Sequence, residues 1–141
     1  MKTLDLVTTL LDTATTLTRR LDGSLSSIKG ITFSEYQMLS ALRDQPLATA
    51  TRVDIAGSVG LTPSGITRAL KPMEKLGFVE TTKDARDARK SLAKLTAAGH
   101  ELVKDADGVV HDTVGDLAAF TSLSDDEREH LASVMKSVTA S

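Results

Sequence analysis

The sequence predicts a mainly α chain carrying one small β-hairpin, an α+β class folded as one compact domain. Three observations lead there. Apolar residues recur at helical spacing through most of the 141 residues. Two short segments with partial alternation, 78–82 and 91–95, flank a polar stretch, Lys83 to Lys90, and read as a hairpin with a long charged tip. Between two helical segments the chain turns tightly at Gly60 and restarts at once with Thr62-Pro63.

Residues 3–27 place Leu4, Val7, Leu10, Leu11, Ala14, Leu17, Leu21 and Leu25 on one broad helical face. The many threonines there are β-branched and lower its intrinsic propensity, so this helix is expected to depend on tertiary or partner contacts. Gly30 ends it. Thr32 with Glu35 forms a capping box that opens a helix from Phe33 to Asp44, with Tyr36, Leu39 and Leu42 as its apolar set. Pro46 marks the following loop. A short helix is expected over Arg52–Val59. Thr62 then serves as N-cap and Pro63 as first residue of a helix whose core face is Ile66, Ala69, Leu70 and Met73, closed by Gly77. After the hairpin, Thr96 starts a long helix with Val103, Ala106, Val110, Val114 and Leu117 on one face. Glu101, Asp105, Asp112 and Asp116 form an acidic stripe elsewhere on it. Ser124 and Glu127 form a second capping box before the stripe Leu131, Val134, Met135 and Val138.

Composition excludes several functions. Aromatics are 3% of the chain, too few for a base-stacking single-strand binder. The absence of Cys removes disulfides, thiolate catalysis, Cys-ligated zinc and thiol redox sensing. With few aromatics, any ligand pocket is expected to be mostly aliphatic. No Gly-rich phosphate loop or nucleophile motif appears, so neither an enzyme nor a cofactor is expected. No secretory h-region or membrane-length apolar run is visible, which predicts a cytoplasmic chain.

The net charge of −2 is a cancellation. Residues 1–51 are neutral, residues 52–95 hold nine bases against five acids, and residues 96–141 hold three bases against nine acids. A +4 middle beside a −6 tail is the asymmetry of a module that meets a polyanion on one side.

Ala56 supplies the small residue that two crossing helices need, Gly60 the turn, and Leu61 and Ile66 the apolar lock on the angle. Together with the hairpin they describe a winged helix-turn-helix. Its module would span residues 31–95. Residues 1–30 and 96–141 would form a helical dimerisation region, since residues 3–27 and 124–138 carry more apolar surface than so small a module can bury.

The segment Gly60-Leu-Thr-Pro-Ser-Gly-Ile-Thr-Arg-Ala-Leu70, then Glu74-Lys-Leu-Gly-Phe-Val79, resembles the recognition helix and wing start of the MarR (multiple antibiotic resistance regulator) family. Asp84-Ala-Arg-Asp-Ala-Arg89, followed by Leu95-Thr96 and Gly99, resembles the family's wing. The resemblance covers essentially the whole chain. It implies a homodimeric transcription regulator, mostly a repressor, that binds palindromic duplex DNA and is released by a small-molecule effector. Nothing in the sequence identifies that effector.

Within this reading the helix over 62–76 enters the major groove. Ser64, Thr67, Arg68 and Lys71 lie off its apolar face, and Arg68 has the geometry to bond guanine bidentately. Thr62, at the helix N-terminus, suits both capping and a phosphate. Gly65 stands where the family more often carries a side chain, which either admits close backbone approach or removes a base contact. Pro72 departs from a regular helix and is expected to bend it just beyond Arg68 and Lys71. The family's wing arginine enters the minor groove. Arg89 matches the last position of the family's Asp-x-Arg motif and Arg86 is the second candidate, with Asp87 as a brace. Lys83 and Lys90 are phosphate-contact candidates.

Two other readings stay open. A winged helix used for protein contact would need neither Arg68 nor a basic tip. His100, Asp107 and His111 share one helical side, which permits a metal-responsive regulator, although surface or packing roles for these histidines are the commoner case.

Overall fold

The computed structural model describes residues 1–140. Seven α-helices and three strands follow in the order α1 Thr3–Lys29, α2 Phe33–Arg43, β1 Thr49–Thr51, α3 Arg52–Val59, α4 Pro63–Lys75, β2 Val79–Lys83, β3 Ser91–Leu95, α5 Ala97–Gly115, α6 Ala118–Thr121 and α7 Asp125–Thr139. The helix starts follow the capping chemistry. The Glu35 amide donates to Thr32 Oγ1 at 3.0 Å and the Thr32 amide to the Glu35 carboxylate at 2.9 Å. Ser124 and Glu127 repeat the arrangement. Thr51, Thr62 and Thr96 cap α3, α4 and α5. Gly60 takes the left-handed φ of 69° beyond α3, and the amides of Gly60 and Leu61 both donate to the Ala56 carbonyl.

Three elements depart from the sequence expectation. The loop after α2 holds a 3-10 turn, Pro46–Ala48, and then β1, which makes the hairpin a three-stranded antiparallel sheet of order β1-β3-β2. At three residues, β1 is too short to show a period; it exists because its partner β3 is there, with Thr51 opposite Leu92. The helix after the wing stops at Gly115, and Leu117 leads into the separate short α6. Leu61 is 39% exposed, so the helix-turn-helix angle is held by Ala56 and Ile66, both buried.

One core runs through the molecule. Leu25 of α1, Met38, Leu39 and Leu42 of α2, Ile55 of α3, Ile66 and Leu70 of α4 and Val103 of α5 are all fully buried. Polar ties reinforce it. Asp22 Oδ1 accepts from the Phe33 amide at 2.6 Å, so α1 helps cap α2. Lys29 meets Asp105 at 3.3 Å.

Asp107 on α5 accepts from Tyr36 Oη and from Arg43 Nη1, each at 2.6 Å. Its carboxylate is thus committed to α2, which removes the third member of the His100–Asp107–His111 set. Burial raises the Asp107 carboxyl, but the bonds from Arg43 and Tyr36 outweigh it and hold the group below its usual 3.8. Burial and then the bond to Asp107 push Tyr36 up to about 12. The bond to Asp107 likewise raises Arg43.

The signs give a pH window. A depressed carboxylate stabilises the fold above its unfolded value near 3.8 and ceases to as pH falls through the lower folded value. A raised phenol stabilises below 10.0, and its contribution falls away as pH rises toward about 12. Because Asp107 is 39% exposed, solvent screening limits its worth. Asp107→Asn is expected to cost about 1 kcal/mol near pH 7 and much less near pH 3. Urea denaturation at both pH values checks this; an equal deficit at both would refute it.

The two ends of the chain bury little. Only Leu25 of α1 is buried, while Leu4, Leu6, Val7, Leu10 and Leu11 stand exposed, Leu4 at 74%. Five threonines of α1 turn their hydroxyls inward, each donating to the carbonyl four residues back, as Thr8 does to Leu4 and Thr13 to Thr9. With those protons spent inside the helix, this surface is less polar than its composition suggests. α7 buries no residue, leaving Leu131, Val134, Met135 and Val138 uncovered, and Val114 of α5 is also exposed.

Candidate nucleic-acid interface

The solvent face of α4 follows from its core face. Ile66, Leu70 and Met73 are buried, which turns Ser64, Arg68 and Lys71 outward. At the start of α4, Thr62 Oγ1 accepts from the Gly65 amide at 3.1 Å. Its own proton stays free to donate, and Pro63 occupies the first position, where no amide is needed. The Thr67 hydroxyl donates to the Pro63 carbonyl at 3.1 Å, so it has only acceptor capacity left for any ligand. A Cβ on Gly65 would stand 3.3 Å from Thr62 Oγ1, tight enough to crowd the cap. Neither Arg68 nor Lys71 has an ion-pair or hydrogen-bond partner among the described residues. α4 runs through Pro72 to Lys75, so the proline costs a backbone bond without ending the helix.

α4 ends in a Schellman motif. The Phe78 amide donates to the Met73 carbonyl at 2.9 Å and the Gly77 amide to the Glu74 carbonyl at 3.0 Å, with Gly77 at φ 83°. Phe78 packs, partly buried, against the core, and the chain passes directly into β2.

The tip between β2 and β3 is built by two successive Asx turns. Asp84 Oδ1 accepts from the Arg86 amide at 2.8 Å, and Asp87 Oδ1 from the Arg89 amide at 3.0 Å. The three-residue repeat Asp-Ala-Arg, Asp-Ala-Arg therefore has a local cause: each Asp folds the turn that presents the Arg two residues on. The Lys90 carbonyl accepts from the Asp84 amide at 3.0 Å and closes the tip. Arg89 Nε lies 3.3 Å from Asp87, the brace expected from sequence, yet its side chain is 92% exposed. An exposed pair of this kind is worth less than about 1 kcal/mol, so a polyanion can displace it. Lys83 stands opposite Ser91 at the open end of the ladder, and Lys83, Arg86 and Lys90 are all exposed.

The residues singled out from sequence thus fall into two groups, one on α4 and one on the tip. Sequence reasoning passed over what joins them. Glu74 Oε1 accepts from the Thr81 hydroxyl of β2 and lies 3.7 Å from Arg52 Nη2 of α3. These partners are 7 and 22 positions away, and no local pattern pairs them. A cleft of about 570 Å³ also lies between the start of α3 and the returning limb of the wing, lined by Arg52, Asp54, Arg89 and Lys90 among others. A second cleft, about 470 Å³, sits among α2, the end of α3 and α5. Phe33 and Tyr36, stacked at 6.1 Å, line it with Ser40, Val59 and Val110.

No described helix is long and apolar enough to cross a membrane. No group of three or more metal-capable side chains gathers among the described residues.

Comparison with known proteins agrees with this geometry. Residues 29–90 match the profile of the MarR family. No curated protein matches the chain. Among solved structures, a MarR family transcriptional regulator from Streptomyces coelicolor, in complex with DNA, superposes with a TM-score of 0.88 at 25% identity, covering 95% of this chain and 83% of that one. A mutant of E. coli MarR complexed with operator DNA gives 0.83 at 25% identity, covering 95% and 93%. CouR from Rhodococcus jostii RHA1, bound to p-coumaroyl-CoA, gives 0.83 at 23% identity over 95% and 91%, a likeness of fold. Residues 29–90 thus carry the MarR family profile, and over nearly its full length the chain is similar in fold to winged helix-turn-helix transcriptional regulators of that family.

Proposed function

We propose that the protein is a homodimeric repressor that binds a palindromic duplex operator and is released by a small-molecule effector. Residues 31–95 form the reading module, and residues 1–30 and 96–141 form the dimerisation region. The observation that carries the reading is the solvent face of α4, where Arg68 and Lys71 have no structural employment. Inside a folded domain such cations are free to meet an external anion. α4 enters the major groove, with Arg68 reading a base and Thr62, Ser64, Gly65, Thr67 and Lys71 meeting bases or the backbone. Arg89, seconded by Arg86, enters the minor groove, while Lys83 and Lys90 hold phosphates.

Dimerisation is supported by the uncovered apolar faces of α1 and α7, which are too extensive to leave in water. A two-fold pair sets the two copies of α4 about 34 Å apart, one turn of DNA. The −6 of residues 96–141 repels DNA from the opposite side and so favours one docking face. The effector lodges between the dimerisation region and the reading module, where the cleft beside Phe33 and Tyr36 has room for it. It works by favouring a spacing of the two α4 helices that no longer matches DNA.

Titration against duplex DNA from the protein's own upstream region tests the reading. Two copies of this basic surface should lose about a thousandfold or more in affinity between roughly 50 and 200 mM salt. Weak binding that ignores salt would reject it.

A further inference from the structure

We propose that Glu74 is a positioning residue for DNA reading, one that fixes the recognition helix and the wing at a single mutual angle. The proposal rests on the DNA-binding reading above. Glu74 is an acid in the last turn of α4, in the segment that carries the chain's positive charge. On a surface that meets a polyanion, a carboxylate without a task lowers affinity. This one has a task. A single oxygen, Oε1, receives the Thr81 hydroxyl from β2 and faces the Arg52 guanidinium from α3 at 3.7 Å. The side chains of Arg52 and Glu74 are only 22% and 32% exposed, so the pair is shielded more than an ordinary surface bridge.

The position also matters. Glu74 follows Pro72, which deprives the Arg68 carbonyl of its helical partner and weakens the ladder just where α4 must hold its course. Beyond Glu74 only the Gly77 turn joins α4 to β2. The hinge between the two reading elements is therefore short, and Glu74 bridges it from the side. Held this way, Arg68 and Arg89 engage their two grooves in one encounter. Without the bridge, the wing finds its groove independently of the helix, and the advantage of simultaneous contact falls. Glu80, an exposed acid one residue before Thr81, makes no such bond among the described residues and serves as the internal comparison.

Affinity for duplex DNA from the protein's own upstream region should be measured by fluorescence anisotropy for wild type, Glu74→Ala, Glu74→Gln, Glu80→Ala, Thr81→Val, Arg89→Ala and the double variant Glu74→Ala/Arg89→Ala. All are to be used below their melting temperatures. Glu74→Ala is expected to weaken binding about tenfold although it removes a negative charge, while Glu80→Ala leaves binding equal or tighter. Glu74→Gln keeps an oxygen for Thr81 and should retain most of the affinity, and Thr81→Val should lose part of it. The penalty of Arg89→Ala should shrink from about tenfold to under about threefold in the Glu74→Ala background, because the wing is already uncoupled. Tighter binding by Glu74→Ala, or full additivity with Arg89→Ala, overturns the proposal. Amide exchange in the free protein separates the two levels of inference. Faster exchange in β2 and β3 of Glu74→Ala is expected, and unchanged exchange defeats the bridging role whatever the DNA result. A wild-type chain that binds no duplex defeats the DNA reading, and with it this role in reading.

Discussion

Replacing Gly99 with Ala is expected to destabilise the protein by about 1–2 kcal/mol, although the change improves helix propensity. A Cβ built at Gly99 lies 2.1 Å from the Phe78 carbonyl oxygen and 2.6 Å from Leu95 Cδ1, far inside van der Waals contact. The obstacle is backbone, and that backbone is fixed. The Phe78 carbonyl accepts from the Thr96 amide at 3.1 Å, and the Gly77 carbonyl from the Thr96 hydroxyl at 2.6 Å. Thr96 Oγ1 in turn caps α5 by accepting from the Gly99 amide at 3.1 Å. The first turn of α5 therefore sits directly on the start of the wing, and a methyl group can enter only by breaking that seam. Overpacking costs about 1–3 kcal/mol and sometimes more, against a propensity gain of about 1 kcal/mol, so the loss wins. Gly108 lies in the same helix with nothing within 4 Å of its notional Cβ. Gly108→Ala should therefore raise stability by up to about 1 kcal/mol. Urea midpoints of the two variants at one protein concentration should move in opposite directions. A Gly99→Ala protein as stable as wild type would show that the seam yields.

The second large effect is on DNA. Arg68→Ala is expected to weaken operator binding by about 1–3 kcal/mol, roughly tenfold to a hundredfold, and to relax discrimination at the base it contacts. Binding to unrelated duplex should fall far less, since one phosphate-range charge carries little of that affinity. Arg89→Ala should lower affinity even when the major-groove bases are unchanged, and more on A·T-rich flanks, where a narrow minor groove concentrates negative potential. Neither substitution should alter the melting temperature noticeably. Arg68 has no partner among the described residues, and the Arg89 side chain is 92% exposed against Asp87. Competition titrations of operator and scrambled duplex check both effects. Affinity unchanged in both variants would remove these residues from the interface.

The capping boxes at Thr32 and Ser124, the Thr62-Pro63 start and the Gly60 stop are local events, governed by side chains within four residues of the backbone groups they satisfy. They were legible, and the helix boundaries followed within about two residues. The wing tip was legible as a charged stretch between two alternating segments, and the structure adds its local cause: each Asp of the Asp-Ala-Arg repeat bonds an amide two positions ahead. β1 was not legible, because a three-residue strand is defined by the partner that pairs with it. The commitment of Asp107 to Tyr36 and Arg43 was also hidden, since its partners lie 71 and 64 residues away.

By itself, then, the sequence determined the order and ends of the helices, the turn of the helix-turn-helix, the charged tip and a basic middle concealed in a net charge of −2. Those follow from short-range hydrogen bonding, from hydrophobic periodicity and from counting charge along the chain. Only the tertiary structure decided which charges are already employed and which are free. Asp107 and Glu74 are spent inside the protein, whereas Arg68 and Lys71 are not. It also decided that Gly99 must be glycine, because the carbonyl that excludes a side chain there belongs to Phe78, 21 residues earlier. Contacts of that separation depend on how the helices pack against the sheet, and no local pattern of residues encodes them.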